Sequence, residues 1–395
     1  MIPSFTISRL PRIVFGAGTI ARVPDLAPEF GRNALIITGA SSFRRTEHWA
    51  ALQAAMTERG IVWRDVAVSG EPSPQLVDDA VAAFKTEAID VVIGIGGGSA
   101  LDAAKAIAGL LRPGNSVMDH LEGVGPELPY RGPAVPFIAV PTTAGSGSEA
   151  TKNAVLSVRG KDGFKKSFRD EALVAQYAVV DPDLLATCPP ESIAANGMDA
   201  LTQLLEAYVS TRANPFVDAL AWSGLEAVHD GLVHWYRGNG DTGAARSRMA
   251  YAALLSGIAL AQVGLGSVHG LASPLGAFFP IPHGVVCGTL VAAATRVNID
   301  ALSARAPDSP ALAKYARVGR LLASMPGADE DDAHTALVKV LDDLTQELKL
   351  PPLGDYGISS GDVPRIVAGS RGSSMKTNPI VLDDDEIATI VRERL

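Results

Sequence analysis

One stretch limits the architecture more than any other. Asp90-Val-Val-Ile-Gly-Ile-Gly-Gly-Gly-Ser99 runs an unbroken apolar, β-branched segment straight into three glycines and a serine. Leu101-Asp-Ala-Ala-Lys-Ala-Ile-Ala108 follows with helical composition. An apolar run without alternation suits a strand covered on both faces, as in a parallel sheet flanked by helices. Glycine lets a ligand approach the backbone closely, and the exposed N–H groups at a helix start favour an anion. The pattern predicts a phosphate-cradling turn at Gly96, Gly97, Gly98 and Ser99. It is not a Walker loop, because no Gly-Lys-Ser/Thr closes it. Nor is it a full dinucleotide fingerprint, because the usual downstream acidic residue is missing.

The surroundings agree with a parallel sheet. Strand-like runs at 33–38, 61–68, 89–95 and 134–140 alternate with helical periodicity at 47–59, 74–86 and 101–111. After Pro189 strand-like runs become scarce, and helical stretches are expected at 191–210, 216–236, 244–265, 310–324 and 330–348. This predicts a Rossmann-like α/β domain over residues 1–183 and an all-α domain over 184–395, which is reasonable for 395 residues.

Composition narrows the function classes. The net charge of −9, with no basic cluster longer than two residues, argues against nucleic acid. The longest apolar stretch, 252–266, is too short and polar to span a bilayer and reads as a buried helix. The N-terminus lacks the pattern of a secretory signal. Two cysteines, Cys188 and Cys287, fit a reducing compartment and read as small buried hydrophobes. A cytoplasmic location and a homo-oligomer, a dimer or larger, are the expectations, with no nucleic-acid or membrane partner.

The chemistry concentrates elsewhere. His269 to His283 reads HGLASPLGAFFPIPH, two of only seven histidines in a segment of Gly, Pro and apolar residues. Upstream, Asp199 and Gln203 stand four residues apart, so on a helix they share a face. If these side chains converge, they make a site for one divalent cation. A second glycine-rich turn, Thr142-Thr-Ala-Gly-Ser-Gly-Ser-Glu149, follows a strand and suits a diphosphate or a ribose. Two such turns at the carboxyl ends of parallel strands mark the edge where ligands bind.

Taken together, Phe15-Gly-Ala-Gly18, Gly94–Lys105, Pro141–Glu149, Asp181-Pro-Asp183, Gly197–Thr202, Glu206-Ala-Tyr208, His269-Gly270 and Pro282-His-Gly284 resemble the iron-containing (group III) alcohol dehydrogenase family. The resemblance implies a dehydroquinate synthase-like architecture and reversible hydride transfer between a small or primary alcohol and NAD(P). Carried over, the metal positions fall on Asp199, Gln203, His269 and His283, with Fe²⁺ or Zn²⁺ as the ion. Asp199, His269 and His283 also carry the catalytic role through that ion. The pyrophosphate falls on Gly96, Gly97, Gly98 and Ser99, with Asp102 toward the nicotinamide. Thr142, Thr143, Ser146, Asn153 and Lys165 match cofactor-lining positions.

Two positions depart from the family pattern. Most members carry a third His at Gln203, and many carry a His at Ser273 for proton transfer. A carboxamide is a weaker ligand than imidazole, so the expectation is a bound ion of lowered affinity. The turn after the first long strand, Gly39-Ala-Ser41-Ser42, holds no carboxylate for a ribose 2′-hydroxyl. It leans toward NADPH, with Ser41, Ser42 and Arg44 or Arg45 meeting the 2′-phosphate. The alternative is a maleylacetate reductase-like enzyme that reduces without a metal. Gly372 to Pro379 reads either as a cap over the site or as a surface turn.

Overall fold

The computed structural model describes residue 2 and residues 4–395. The chain divides into two compact units. One comprises residues 8–158 and 165–188. The other comprises residues 159–164 and 189–395 with the described residues up to Ile7.

The first unit is built on a six-stranded sheet. Its strands are β1 (Arg12–Phe15), β2 (Asn33–Gly39), β3 (Val62–Val68), β4 (Val91–Gly96), β5 (Phe137–Pro141) and β8 (Tyr177–Val180), while β6 (Asn153–Val158) and β7 (Phe164–Arg169) pair separately. The sheet order is β1-β8-β5-β4-β2-β3, and every pairing is parallel. Its helices are α1 (Val23–Leu26), α2 (Glu47–Glu58), α3 (Pro74–Phe84) and α4 (Gly98–Leu110). All six residues of β4 are buried, as its continuous apolar run requires of a central strand. Ile36, Ile93, Ile95, Ile138, Val140 and Val179 meet in one cluster that joins the middle strands.

The second unit is helical: α5 (Pro190–Val209), α6 (Pro215–Arg237), α7 (Thr242–Val263), α8 (Ser267–Phe278), α9 (His283–Arg305), α10 (Pro310–Leu322), α11 (Glu330–Glu347), α12 (Val363–Gly369) and α13 (Asp384–Arg392). Small residues set its spacing. A Cβ on Gly284 would fall 2.3 Å from the Ala195 carbonyl oxygen, and one on Gly288 would fall 2.7 Å from the Met198 Cβ. Two glycines one helical turn apart therefore let α9 lie almost backbone to backbone on α5. By length and composition α9 is the one described helix that could cross a membrane, but 89% of its apolar window is buried inside the protein. It is the core helix of this unit.

One expectation changes here and another is refined. The Gly- and Pro-rich composition between His269 and His283 suggests a broken, non-helical segment. In the structure Ser267–Phe278 is continuous helix with Pro274 inside it, and His283 starts the next helix. Burial on nearly every side of α8 outweighs the hydrogen bond lost at Pro274. Gly372 to Pro379 is a partly buried turn with Gly372, Ser373 and Lys376 exposed. Met375, Thr377 and Asn378 are buried, and the Thr377 hydroxyl donates to the Leu265 carbonyl at 2.6 Å. The segment braces the α7–α8 bend, where the helix axes turn by 99°.

Candidate metal centre and cofactor turn

The metal centre is assembled from α5, α8 and α9. Asp199 lies near the middle of α5, and its carboxylate is almost wholly buried. His269 sits in the first turn of α8, a helix without a local side-chain cap. Two remote residues take the free N–H groups of that turn: Asn378 Oδ1 accepts from Ser267 N at 3.0 Å, and Glu206 Oε1 accepts from Val268 N at 2.7 Å. Asn378 also exchanges hydrogen bonds with Asn298, which ties the start of α8 to the C-terminal half of α9. His283 is the first residue of α9, and Cys287 lies one turn later on the same face.

The side chains converge. Asp199 Oδ1 is 3.3 Å from His269 Nε2 and 3.6 Å from His283 Nε2. Cys287 Sγ is 3.5 Å from His269 Nε2 and 3.8 Å from His283 Nε2. All four donor atoms lie within 4.8 Å of one another. Ligands at 2.0–2.3 Å from a tetrahedral ion stand about 3.3–3.7 Å apart, so the measured separations fit one small divalent cation. The donors fit as well: a carboxylate, two imidazoles and a thiol are the common zinc and iron ligands.

The electrostatics point the same way. Burial opposes the charge on Asp199, yet His283 and His269 hold its pKa below the usual carboxylate value. Burial likewise opposes charging His269, but the charge of the neighbouring Cys287 sulfur and hydrogen bonds to Asp199, Cys287 and Glu206 hold it well above the ordinary histidine value. The ring sits between two carboxylates, with Glu206 Oε2 2.7 Å from Nδ1. A bound ion would take the place of the Nε2 proton, with Glu206 holding the remaining proton on Nδ1. Without an ion, burial pushes the Cys287 thiol up to about 12.

Sequence reasoning brought Asp199, His269 and His283 together, and the structure places them so. Gln203 is buried on α5 one turn after Asp199. Cys287 was read as a buried hydrophobe and Glu206 was given no role; both stand in the site. The signals were present in the spacing. His283 and Cys287 are four residues apart at a helix start, and Asp199, Gln203 and Glu206 follow the i, i+4, i+7 stripe of one helix face. Ser273 lies on α8, one turn after His269.

In the α/β unit, the two glycine turns meet at the carboxyl edge of adjacent strands. Gly96 pairs in register with Pro141, and Thr142 N donates to the Gly96 carbonyl at 3.0 Å. A Cβ on Gly96 would lie 3.2 Å from Gly39 N, one on Gly97 3.3 Å from Thr143 Oγ1, and one on Gly98 2.7 Å from Ser146 Oγ. Gly39, Gly96, Gly97, Gly98, Thr143 and Ser146 thus crowd one spot, with Ser99 in the first turn of α4. The open N–H groups of a 13-residue helix face it.

Three expected cofactor positions also make contacts within the protein. Asp102 accepts from Ser148 Oγ at 2.5 Å and Val155 N at 3.1 Å. The Asn153 carbonyl accepts from Lys105 Nζ at 2.6 Å, one of four hydrogen bonds that satisfy this fully buried lysine. Lys165 pairs with Glu71 at 2.7 Å. Ser41 is exposed and accepts from Arg45 at 2.7 Å. Arg44 is held by Asp65 and by Thr38 Oγ1, and it lies over the Trp49 ring.

Comparison with known proteins settles the family. Residues 11–182 match the iron-containing alcohol dehydrogenase family, and residues 193–395 match the C-terminal family of Fe-containing alcohol dehydrogenases. The chain is 31% identical to alcohol dehydrogenase 4 of Saccharomyces cerevisiae, over 97% of this chain and 96% of that protein. It is 29% identical to an NADPH-dependent butanol dehydrogenase of Clostridium saccharobutylicum, over 96% of both. The crystal structure of a 1,3-propanediol oxidoreductase superposes with a TM-score of 0.88 at 28% identity, covering all of both chains. The chain therefore belongs to the iron-containing alcohol dehydrogenase family.

Proposed function

We propose that this chain is a metal-dependent, NAD(P)-linked alcohol dehydrogenase that interconverts small primary alcohols and their aldehydes. The observation that carries this is the convergence of Asp199, His269, His283 and Cys287 on one ion-sized space, in a chain of this family. A divalent ion held there supplies Lewis-acid polarisation of a carbonyl group. Asp199 and Cys287 balance the charge of that ion. Glu206 orients His269, and Asp199 and Cys287 are buried on α5 and α9. The names of the relatives support small alcohols and aldehydes as the substrate class.

Within this reading NADPH is the preferred cofactor. The end of β2 offers Gly39, Ser41 and Ser42 and no carboxylate. The Arg45 guanidinium already reaches Ser41, so a 2′-phosphate there meets a cation and two hydroxyls. Arg44, held by Asp65, is not the phosphate partner.

The test is oxidation of NADPH and NADH by the purified protein with a panel of short-chain aldehydes. The same assay follows exhaustive chelation and then addition of Zn²⁺ or Fe²⁺. Aldehyde-dependent turnover that vanishes on chelation and returns with metal is expected. Turnover that survives complete metal removal would overturn the metal-dependent reading and favour a metal-free reductase.

A further inference from the structure

The geometry points to Cys287, rather than Gln203, as the fourth protein ligand of the ion, and to zinc as the ion this donor set selects. The inference rests on the metal-dependent reading above and deepens it. Cys287 is completely buried, one helical turn after His283, and its sulfur lies 3.5 Å from His269 Nε2 and 3.8 Å from His283 Nε2. Both lie close to the edge lengths, about 3.3–3.7 Å, of a tetrahedron around a zinc ion with sulfur, nitrogen and oxygen donors.

The placement is built into the packing of two helices. Gly284 and Gly288 flank Cys287 and allow α9 to approach the α5 backbone at Ala195 and Met198, the residue before Asp199. The same close approach that seats α9 therefore carries the Cys287 sulfur to the Asp199 carboxylate. Gln203 shares the α5 face with Asp199 but brings only a neutral carboxamide. A thiolate brings a full negative charge and a soft, polarisable donor. With Asp199 it neutralises a dication inside a buried site, where an uncompensated charge is costly.

Donor softness then decides the ion. Thiolate and imidazole favour zinc over ferrous iron, in the direction the general order of affinities already runs. Zinc also accepts a fifth donor beyond a tetrahedral set, so four protein ligands leave the site able to react.

Cobalt substitution of the whole protein tests the inference without relying on turnover. Visible d–d bands report a bound Co²⁺, and an intense near-ultraviolet charge-transfer band reports sulfur on the metal. Wild type, Gln203→Ala and Cys188→Ser are expected to show both. Cys287→Ser is expected to lose the near-ultraviolet band, and its zinc affinity to fall by more than the roughly 10–100-fold typical of losing an outer-shell partner. In anaerobic competition with equal Zn²⁺ and Fe²⁺, wild type retains zinc. Visible bands without a sulfur band in wild type, or a sulfur band persisting in Cys287→Ser, would overturn Cys287 ligation. Retention of iron in the competition would overturn the zinc assignment. A wild type with no visible bands would overturn the metal reading itself, and this inference with it.

Discussion

Glu206 Oε2 lies 2.7 Å from His269 Nδ1, while the other oxygen of the same carboxylate accepts the Val268 N–H at 2.7 Å. One side chain therefore sets both the start of α8 and the tautomer of its metal-facing histidine. Glu206→Gln keeps an oxygen for Val268 but removes the charge behind the imidazole. The expected result is a folded protein whose metal affinity falls by about 10–100-fold, read by competition with a chromophoric chelator. An unchanged affinity would reduce Glu206 to a helix cap.

Gly284 should not tolerate a side chain. The new Cβ of Gly284→Ala would sit 2.3 Å from the Ala195 oxygen and 2.6 Å from its carbonyl carbon. Both are backbone atoms that no rotamer change can move aside, so α9 must back away from α5. Overpacking of this kind costs about 1–3 kcal/mol, and a unit of this size loses about 2–4 °C of Tm per kcal/mol. The same shift draws His283 and Cys287 from Asp199. Calorimetry should show the lower Tm, and metal analysis after dialysis should show a lower content. A full metal complement at an unchanged Tm would contradict the packing described here.

Periodicity made much of the fold legible. The buried strands β2, β4 and β5 and the long amphipathic helices α5, α6, α10 and α11 lie close to where their patterns place them. Short strands were harder. Arg12–Phe15 has three exposed residues and β8 has only four residues in all, too few for a pattern. Helix α8 was hidden because glycine and proline punctuate isolated peptides, whereas here burial overrides local propensity. In the site, Asp199, His269 and His283 were legible by residue type and resemblance. Cys287 was hidden by its commoner role as a small core residue, and Glu206 because its partner lies 63 positions away.

Glu149 predicts a pH dependence of stability. It is buried, and burial raises its pKa from 4.5 to about 7. The folded state thus holds this proton more tightly than the unfolded chain. Its stabilising contribution is complete below pH ~4.5 and is lost as pH rises through ~7, a swing of about 3 kcal/mol. Glu149→Gln removes the titration. Urea unfolding should find the variant little changed near pH 5 and more stable than wild type near pH 8. Parallel pH profiles for the two proteins would show that Glu149 is not the group responsible.

The proposed NADPH preference turns on Arg45. It is exposed, and its guanidinium donates to the Ser41 hydroxyl and carbonyl one turn back. Both belong to the turn that follows the end of β2 at Gly39. Arg44 is already neutralised by Asp65. A 2′-phosphate bound at this turn gains its charge-assisted hydrogen bonds from Arg45, and an unphosphorylated ribose gains none. Arg45→Ala should therefore raise the KM for NADPH about tenfold, the loss of roughly 1.4 kcal/mol, and leave the KM for NADH and both kcat values near wild type. Steady-state kinetics with each nicotinamide measures this. An equal rise for both cofactors would place Arg45 on a phosphate they share, and no rise for either would remove it from the binding surface.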